Sequence, residues 1–215
     1  MKFVNFVKYR DLDRIASARP AHFVYADRLR AEGKLVIGGP LMDDQGRRIG
    51  LLFIYEAVSR DQALAFARED PFTLANGLLG YEISEWRIRG ANVDLLVEAN
   101  RAAHQNGGGN MQSRLFVNYA KYAGDKSRLT TVRPAHWTYD RKLKSAGELA
   151  LAGPFANDEG GLFVYNAVSR EVAMSYLKQD PFDLEGVFAD CELLEWLIEG
   201  LNPGLLSIDL SSGKE

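Results

Sequence analysis

Two histidines held in the same seven-residue frame are the residues of this chain best placed to do chemistry. Residues 19–25 read RPAHFVY and residues 133–139 read RPAHWTY. The chain contains only three histidines, and His22 and His136 occupy matched positions in this frame. A neutral imidazole near pH 7 is a competent general base. Pro20 and Pro134 suit the first turn of a helix, where a missing N–H costs nothing. On such a helix His22, Tyr25, Ala26 and Leu29 share one face, as do His136, Tyr139, Asp140 and Leu143. The free N–H groups of a helix start would disfavour imidazolium there. The alternative is a packed histidine bonded to a backbone carbonyl, which duplication would preserve equally well.

The candidate partners are Asp70 and Asp180, each followed by Pro-Phe. An aspartate at a helix C-terminus opposes the macrodipole, yet the sequence places one there twice. A carboxylate beside the imidazole would orient the ring, fix its tautomer and raise its pKa. Asp before Pro is also an ordinary helix exit, so this reading competes with plain turn chemistry. A His–Asp pair without an obvious nucleophile suits proton abstraction or transfer rather than acyl transfer. Arg19 and Arg133 recur as well, either to hold an anionic substrate group or as surface ion-pair partners. Tyr25 and Tyr139, on the histidine face, are candidate substrate contacts. With Tyr55, Tyr165, Trp86 and Trp196 they either line an aromatic pocket or fill core. Ser59 and Ser169 recur at helix N-cap positions, which account for them. The usual metal-ligand spacings are absent, so neither a metal nor a cofactor is expected. Gly38-Gly39-Pro40 lacks the lysine and the spacing of a phosphate loop.

The elements that must position these residues form two copies of one pattern. FVNFVKY at 3–9 matches FVNYAKY at 116–122, YEAVSR at 55–60 matches YNAVSR at 165–170, and Glu85-Trp86 matches Glu195-Trp196. The offset between copies is 113 at the start, 114 through the heptads and 110 after the Gly-Pro pair, so the second copy has a shorter loop after Pro154. In the first copy the pattern predicts a strand over 2–9 and a helix from Pro20 to about Glu32, stopped by Gly33. A short strand at 35–37 ends at Gly38-Gly39-Pro40, and a third strand covers 49–58. A helix capped by Ser59 runs to Asp70, and a last strand covers 81–88. The second copy predicts strands at 115–122, 148–153, 160–168 and 190–198, with helices at 134–146 and 170–179. The order β-α-β-β-α-β is ferredoxin-like, an α+β fold. Residues 1–90 and 114–200 are the two domains. Residues 91–113 are a linker with a helical turn or two, a flexible Gly107-Gly108-Gly109 stretch and a solvated His104. Residues 201–215 are a tail.

Composition bounds the rest. The chain has 215 residues, 47% of them hydrophobic and 26% charged, with a net charge of −3. No basic stripe marks a nucleic-acid partner, and no run of 18 apolar residues marks a membrane span. Lys8 and Arg10 arrive too early for a signal peptide, so a cytoplasmic protein is expected. The single Cys191 allows neither an intramolecular disulfide nor a CxxC knuckle and reads as a small buried side chain.

His22 on its helix, Gly39-Pro40, the EAVSR segment, Asp70-Pro71-Phe72 and Glu85-Trp86 together resemble the YciI-like (YCII-related) domain, and the second copy carries the same marks. The resemblance implies ferredoxin-like repeats that pair as a dimeric α/β barrel. In a tandem chain the pairing would be made within the chain, with exchange between chains and a homodimer also open. It further implies a small-molecule site built on the histidine and the Asp-Pro-Phe aspartate: His22 with Asp70 and His136 with Asp180. The activity implied is cofactor-independent elimination, of chloride from chlorinated hydroxylated aromatics in one case, or isomerisation. A non-catalytic metabolite-binding or protein-interaction module is the alternative. Asn166, which stands where the first copy has Glu56, and the shortened loop after Pro154 are the departures that would alter the second site.

Overall fold

The structure, a computed structural model, describes residues 1–105 and 114–206. The Gly107–Gly109 stretch and the tail beyond Leu206 lie outside the described residues. The first repeat comprises β1 (Lys2–Lys8), α1 (Leu12–Ala31), β2 (Leu35–Met42), β3 (Arg48–Glu56), α2 (Arg60–Glu69), α3 (Pro71–Leu74) and β4 (Ile83–Trp86). Then follow β5 (Gly90–Ala91) and α4 (Val93–His104). The second repeat comprises β6 (Arg114–Tyr122), α5 (Lys126–Ser145), β7 (Leu149–Pro154), β8 (Gly160–Ala167), α6 (Arg170–Gln179), α7 (Pro181–Leu184), β9 (Phe188–Trp196) and β10 (Gly200–Leu201). Each half is therefore α+β in the β-α-β-β-α-β order, with an additional one-turn helix after α2 and α6.

The strands are antiparallel, in the order β4-β1-β3-β2 in the first half, with β10 on β2, and β9-β6-β8-β7-β5 in the second. Phe3 faces Tyr55 and Val7 faces Leu51 across β1 and β3, and Phe116 faces Tyr165 across β6 and β8. Strand side chains two apart share a face. Phe3, Val7, Leu51, Phe53 and Tyr55 therefore form one wall, packed on Ile15, Tyr25 and Leu29 of α1 and Phe66 of α2. Phe116, Phe163 and Tyr165 do the same against Leu143 of α5 and Leu177 of α6.

Among the described residues the chain forms two compact units, residues 1–85 with 196–206, and residues 86–195. The segment after Trp196 thus completes the first unit, and the segment after Trp86 completes the second. In the first unit Leu197 and Glu199 donate backbone N–H bonds to the carbonyls of Pro40 and Gly38 at 3.1 and 3.0 Å. In the second, Arg87 and Arg89 donate to Pro154 and Ala152 at 3.0 and 2.9 Å. This corrects the expectation that Gly38-Gly39-Pro40 ends a strand, because β2 runs through it to Met42. Glycine is needed there for close passage of backbone: a Cβ on Gly39 would sit 1.8 Å from the Leu197 carbonyl oxygen. On Gly153 it would sit 2.0 Å from that of Arg87.

The first helix of each repeat also differs from expectation. Helix α1 begins at Leu12, where the Asp11 carboxylate caps the N–H groups of Asp13 and Arg14, and α5 begins at Lys126 under Asp125. Pro20 and Pro134 lie inside these helices. A proline removes the bond to the carbonyl four residues back. Those carbonyls belong to Ala16 and Thr130, and all four residues are exposed, so water can satisfy what the helix loses. The expected strand over 81–88 is shorter, at Ile83–Trp86. The expected turn or two after residue 91 is a twelve-residue helix capped by Asn92, with His104 exposed at its end, as expected. No helix among the described residues is long and apolar enough to cross a membrane.

Candidate active sites

His22 lies in the buried stripe of α1 with Ile15, Tyr25 and Leu29. It is mid-helix, so the electrostatic argument from a helix start does not apply. Asp70 ends α2 in an extended conformation and caps α3, its carboxylate accepting the Phe72 N–H at 2.8 Å. It therefore stands at the C-terminus of α2 and at the N-terminus of the one-turn α3, whose N–H groups favour the negative charge that the α2 dipole opposes. The same Oδ1 lies 2.8 Å from His22 Nδ1. A carboxylate only accepts, so Nδ1 carries the proton and the Nε2 lone pair is left free. Phe72 then lies flat under the imidazole, ring centres 3.8 Å apart and planes 11° apart. The Asp-Pro-Phe tripeptide is thus a mount: Asp holds one ring nitrogen, Pro starts the turn, Phe supplies the floor.

His22 opens into a cleft in the first unit, walled by Phe23, Phe53, Phe72 and Leu51 and bordered by Gly38-Gly39-Pro40. Its polar lining includes Tyr9, Arg19, Asp27, Arg30, Arg48 and Glu199. Arg30 pairs with Asp27 at 2.7 Å and Arg48 with Glu199 at 2.6 Å. Arg19 makes no ion pair among the described residues, which leaves a half-buried cation at the cleft. Burial pushes the Tyr9 phenol up to about 12, against the lowering pull of Arg48 and Arg19. Tyr9 therefore remains a hydrogen-bond donor at neutral pH.

The second unit repeats the mount and changes what faces it. His136 Nδ1 lies 2.8 Å from Asp180 Oδ1, that oxygen accepts the Phe182 N–H at 2.8 Å, and Phe182 stacks under the ring at 3.8 Å. On the other side Asp140 Oδ2 lies 3.3 Å from His136 Nε2. The matching residue in the first unit is Ala26. Burial raises the Asp140 carboxyl to about 7, with His136 pulling it down and Asp180 pushing it up. Burial works against a charged His136, but Asp140 and Asp180 together outweigh it and raise its pKa. The cleft is lined by Arg87, Arg89, Tyr122, Arg133, Trp137 and Asp158 besides His136 and Asp140. Asp158, in the shortened loop and at φ 56°, pairs with Arg133 at 3.1 Å. By the repeat offset, Arg48 and Glu199 of the first cleft correspond to Asp158 and Arg89 of the second, so the charges are exchanged.

Of the residues singled out from sequence, His22 and Asp70 meet, as do His136 and Asp180, with Arg19 and Arg133 at their respective clefts. Tyr25 and Tyr139 do not line them. Their hydroxyls donate to the Phe66 and Tyr176 carbonyls at 2.8 Å, tying α1 to α2 and α5 to α6. Burial pushes both phenols up, that of Tyr139 to about 12. Tyr55 and Tyr165 are fully buried core, and the Trp86 and Trp196 indoles donate to the Gly153 and Gly39 carbonyls. Ser59 and Ser169 cap α2 and α6. Asn166 lies away from the cleft and donates to the Gly147 carbonyl at 2.9 Å, so that departure does not touch the site. The residues missed were Tyr9, Tyr122 and the two phenylalanine floors. All four recur in matched positions, which was the available signal. Cys191 is no candidate nucleophile, since burial pushes its thiol up to about 11.

Comparisons with known proteins bear on the family and the fold. Residues 1–87 and 114–197 each match the model of the YCII-related domain. No curated protein sequence matches significantly. A chlorite dismutase from Candidatus Nitrospira defluvii, crystallised with imidazole, superimposes with TM-score 0.56 at 13% identity, covering 95% of this chain and 93% of that one. A proposed monooxygenase from Lactobacillus acidophilus gives TM-score 0.50 at 11% identity, covering 93% and 94%. At these identities the likeness concerns the fold, that of the ferredoxin-like dimeric α/β barrel proteins. The 5-chloro-2-hydroxyhydroquinone dehydrochlorinase from Burkholderia phenoliruptrix is 30% identical over 42% of this chain and 96% of its own, at TM-score 0.37.

Proposed function

Because the chain belongs to the YCII-related domain family through both its halves, we propose that it is a small-molecule enzyme. Its first cleft would perform cofactor-independent acid–base chemistry, an elimination or isomerisation, on a cyclic or aromatic substrate. The observation that carries this reading is the 2.8 Å bond from His22 Nδ1 to Asp70, which leaves Nε2 as the free base of an aromatic-walled cleft. In the reaction Nε2 takes a proton from a substrate carbon, and Asp70 stabilises the imidazolium that forms. The electron pair left on carbon then expels a leaving group on the neighbouring atom, a halide being one such group. Alternatively it shifts along the ring, and His22 returns the proton at the new position. Arg19 and the Tyr9 hydroxyl are placed to hold an oxygen on which negative charge develops.

The competing reading is a metabolite-binding module, in which the buried His–Asp pair only shapes the cleft. Screening hydroxylated and halogenated cyclic compounds against the full chain separates the two. Turnover should fall about 10²–10⁴-fold in His22→Ala, the usual contribution of a general base. Turnover that survives His22→Ala would overturn the assignment. Saturable binding without turnover in the wild type would favour the binding module.

A further inference from the structure

The geometry points to a metal site in the second cleft: we propose that His136 Nε2 and the Asp140 carboxylate hold a divalent transition-metal ion, with Asp180 positioning the imidazole from behind. Nothing in the acid–base reading of the first cleft is needed for this.

Four observations converge. His136 and Asp140 are i, i+4 neighbours on α5, so their side chains meet on one helix face. Their donor atoms are 3.3 Å apart. A charge-assisted N–H···O bond is normally about 2.7–2.9 Å. Two ligands bound to a tetrahedral ion at about 2.1 Å each lie about 3.4 Å apart, so the observed gap has the width of a metal bite. Asp140 Oδ1 is buried and has no hydrogen-bond partner among the described residues. An unsatisfied buried oxygen is costly, and a cation bound by both oxygens of the carboxylate, Oδ2 in the bite with Nε2 and Oδ1 beside it, satisfies it. Finally, Asp180 already holds Nδ1 at 2.8 Å and is itself fixed by the Phe182 N–H. That is the carboxylate–histidine arrangement that directs the other ring nitrogen at a metal. One donor atom from each of the three residues lies within 4.8 Å of the others.

The donor set selects the ion. Imidazole with carboxylate and no thiolate suits zinc, cobalt or nickel, whereas calcium and magnesium prefer all-oxygen sites. Two protein ligands leave outer positions for water or for an anionic molecule, and Tyr122 and Arg133 line the same cleft. The first unit is a built-in control, because Ala26 replaces the carboxylate there.

The test uses the full chain, stripped with a chelator and titrated with Co²⁺. Visible d–d absorption follows binding, and Zn²⁺ displaces the cobalt. One saturable equivalent per chain is expected. Asp140→Ala and His136→Ala should each weaken it at least 10-fold, and Asp180→Asn about 10–100-fold, the usual effect of losing an outer-shell partner. Asp140→Ala should fold, since the first repeat carries alanine at that position, and circular dichroism checks it. His22→Ala should leave cobalt uptake unchanged. Absence of a saturable equivalent would overturn the proposal. So would cobalt binding of undiminished affinity in Asp140→Ala or His136→Ala, or uptake lost in His22→Ala.

Discussion

The two clefts are built on the same mount and differ in what stands opposite it. In each, an aspartate that caps a one-turn helix holds histidine Nδ1 at 2.8 Å, and the phenylalanine two residues on lies under the ring. In the first unit Nε2 then faces Ala26 and an open cleft. In the second it faces Asp140 at 3.3 Å. One substitution on the cleft-facing side of a duplicated histidine sets a carboxylate against the second ring nitrogen, so that His136 lies between Asp180 at Nδ1 and Asp140 at Nε2. The outer ring of charge follows, with Arg48–Glu199 on one side and Asp158 and Arg89 on the other. The lesson is that duplication preserved the mount, which packing protects, while the cleft-facing positions diverged.

That contrast can be broken or sharpened by substitution. The largest expected effect is on turnover. His22→Ala should lower kcat about 10²–10⁴-fold, while His136→Ala, its ring nitrogens both engaged, should change it less than about twofold; equal losses would show two equivalent sites. Next comes the part the units share. Gly39→Ala and Gly153→Ala should each cost about 3 kcal/mol or more, because the added methyl strikes backbone rather than a movable side chain. Denaturant unfolding that finds either substitution neutral would mean the second strand does not pass there.

A smaller effect concerns pH. The Asp140 carboxyl is raised to about 7 in the folded chain, against about 4 in an unfolded one. Between these values the folded state binds the extra proton. Stability fully present below about pH 4 is therefore lost as pH climbs to about 7 and is level above. The raised pKa of His136 acts in the same direction. In metal-free protein, Asp140→Ala should remove this loss, stabilising by about 4 kcal/mol at pH 8 and hardly at pH 4. Melting curves at the two pH values check it, and an equal gain at both would mean the carboxylate bears no proton load. Smallest is the effect on binding. Arg19→Ala should raise KM about tenfold, the equivalent of one charge-assisted hydrogen bond, and leave kcat within about twofold. Steady-state kinetics on the compound identified by screening decides it.

Much of this was legible in the chain. The duplicated motifs and the alternation of FVNFVKY and GLLFIYE dictated paired β-α-β-β-α-β repeats, since buried strand faces demand period two. The recurrence of histidine and Asp-Pro-Phe was enough to pair His22 with Asp70 across 48 residues. Pro20 misled, because a proline read as a helix start sits inside a helix wherever the orphaned carbonyl faces water. Gly39 misled too: a glycine before proline reads as a turn, and its use for close backbone passage depends on Leu197, far away in the sequence.

Local composition therefore determined the elements, the repeat and the identity of the chemical pair, because periodicity, capping and turn preference act over a few residues. Only the tertiary structure decided which histidine nitrogen is free. It also decided that Tyr25 and Tyr139 serve helix packing, and that the shortened loop brings Asp158 to Arg133. Those outcomes depend on distances between residues far apart in the chain. Ala26 and Asp140 stood on the histidine face in the sequence from the start. Their consequence appeared only when the fold placed Asp180 on the opposite side of the ring.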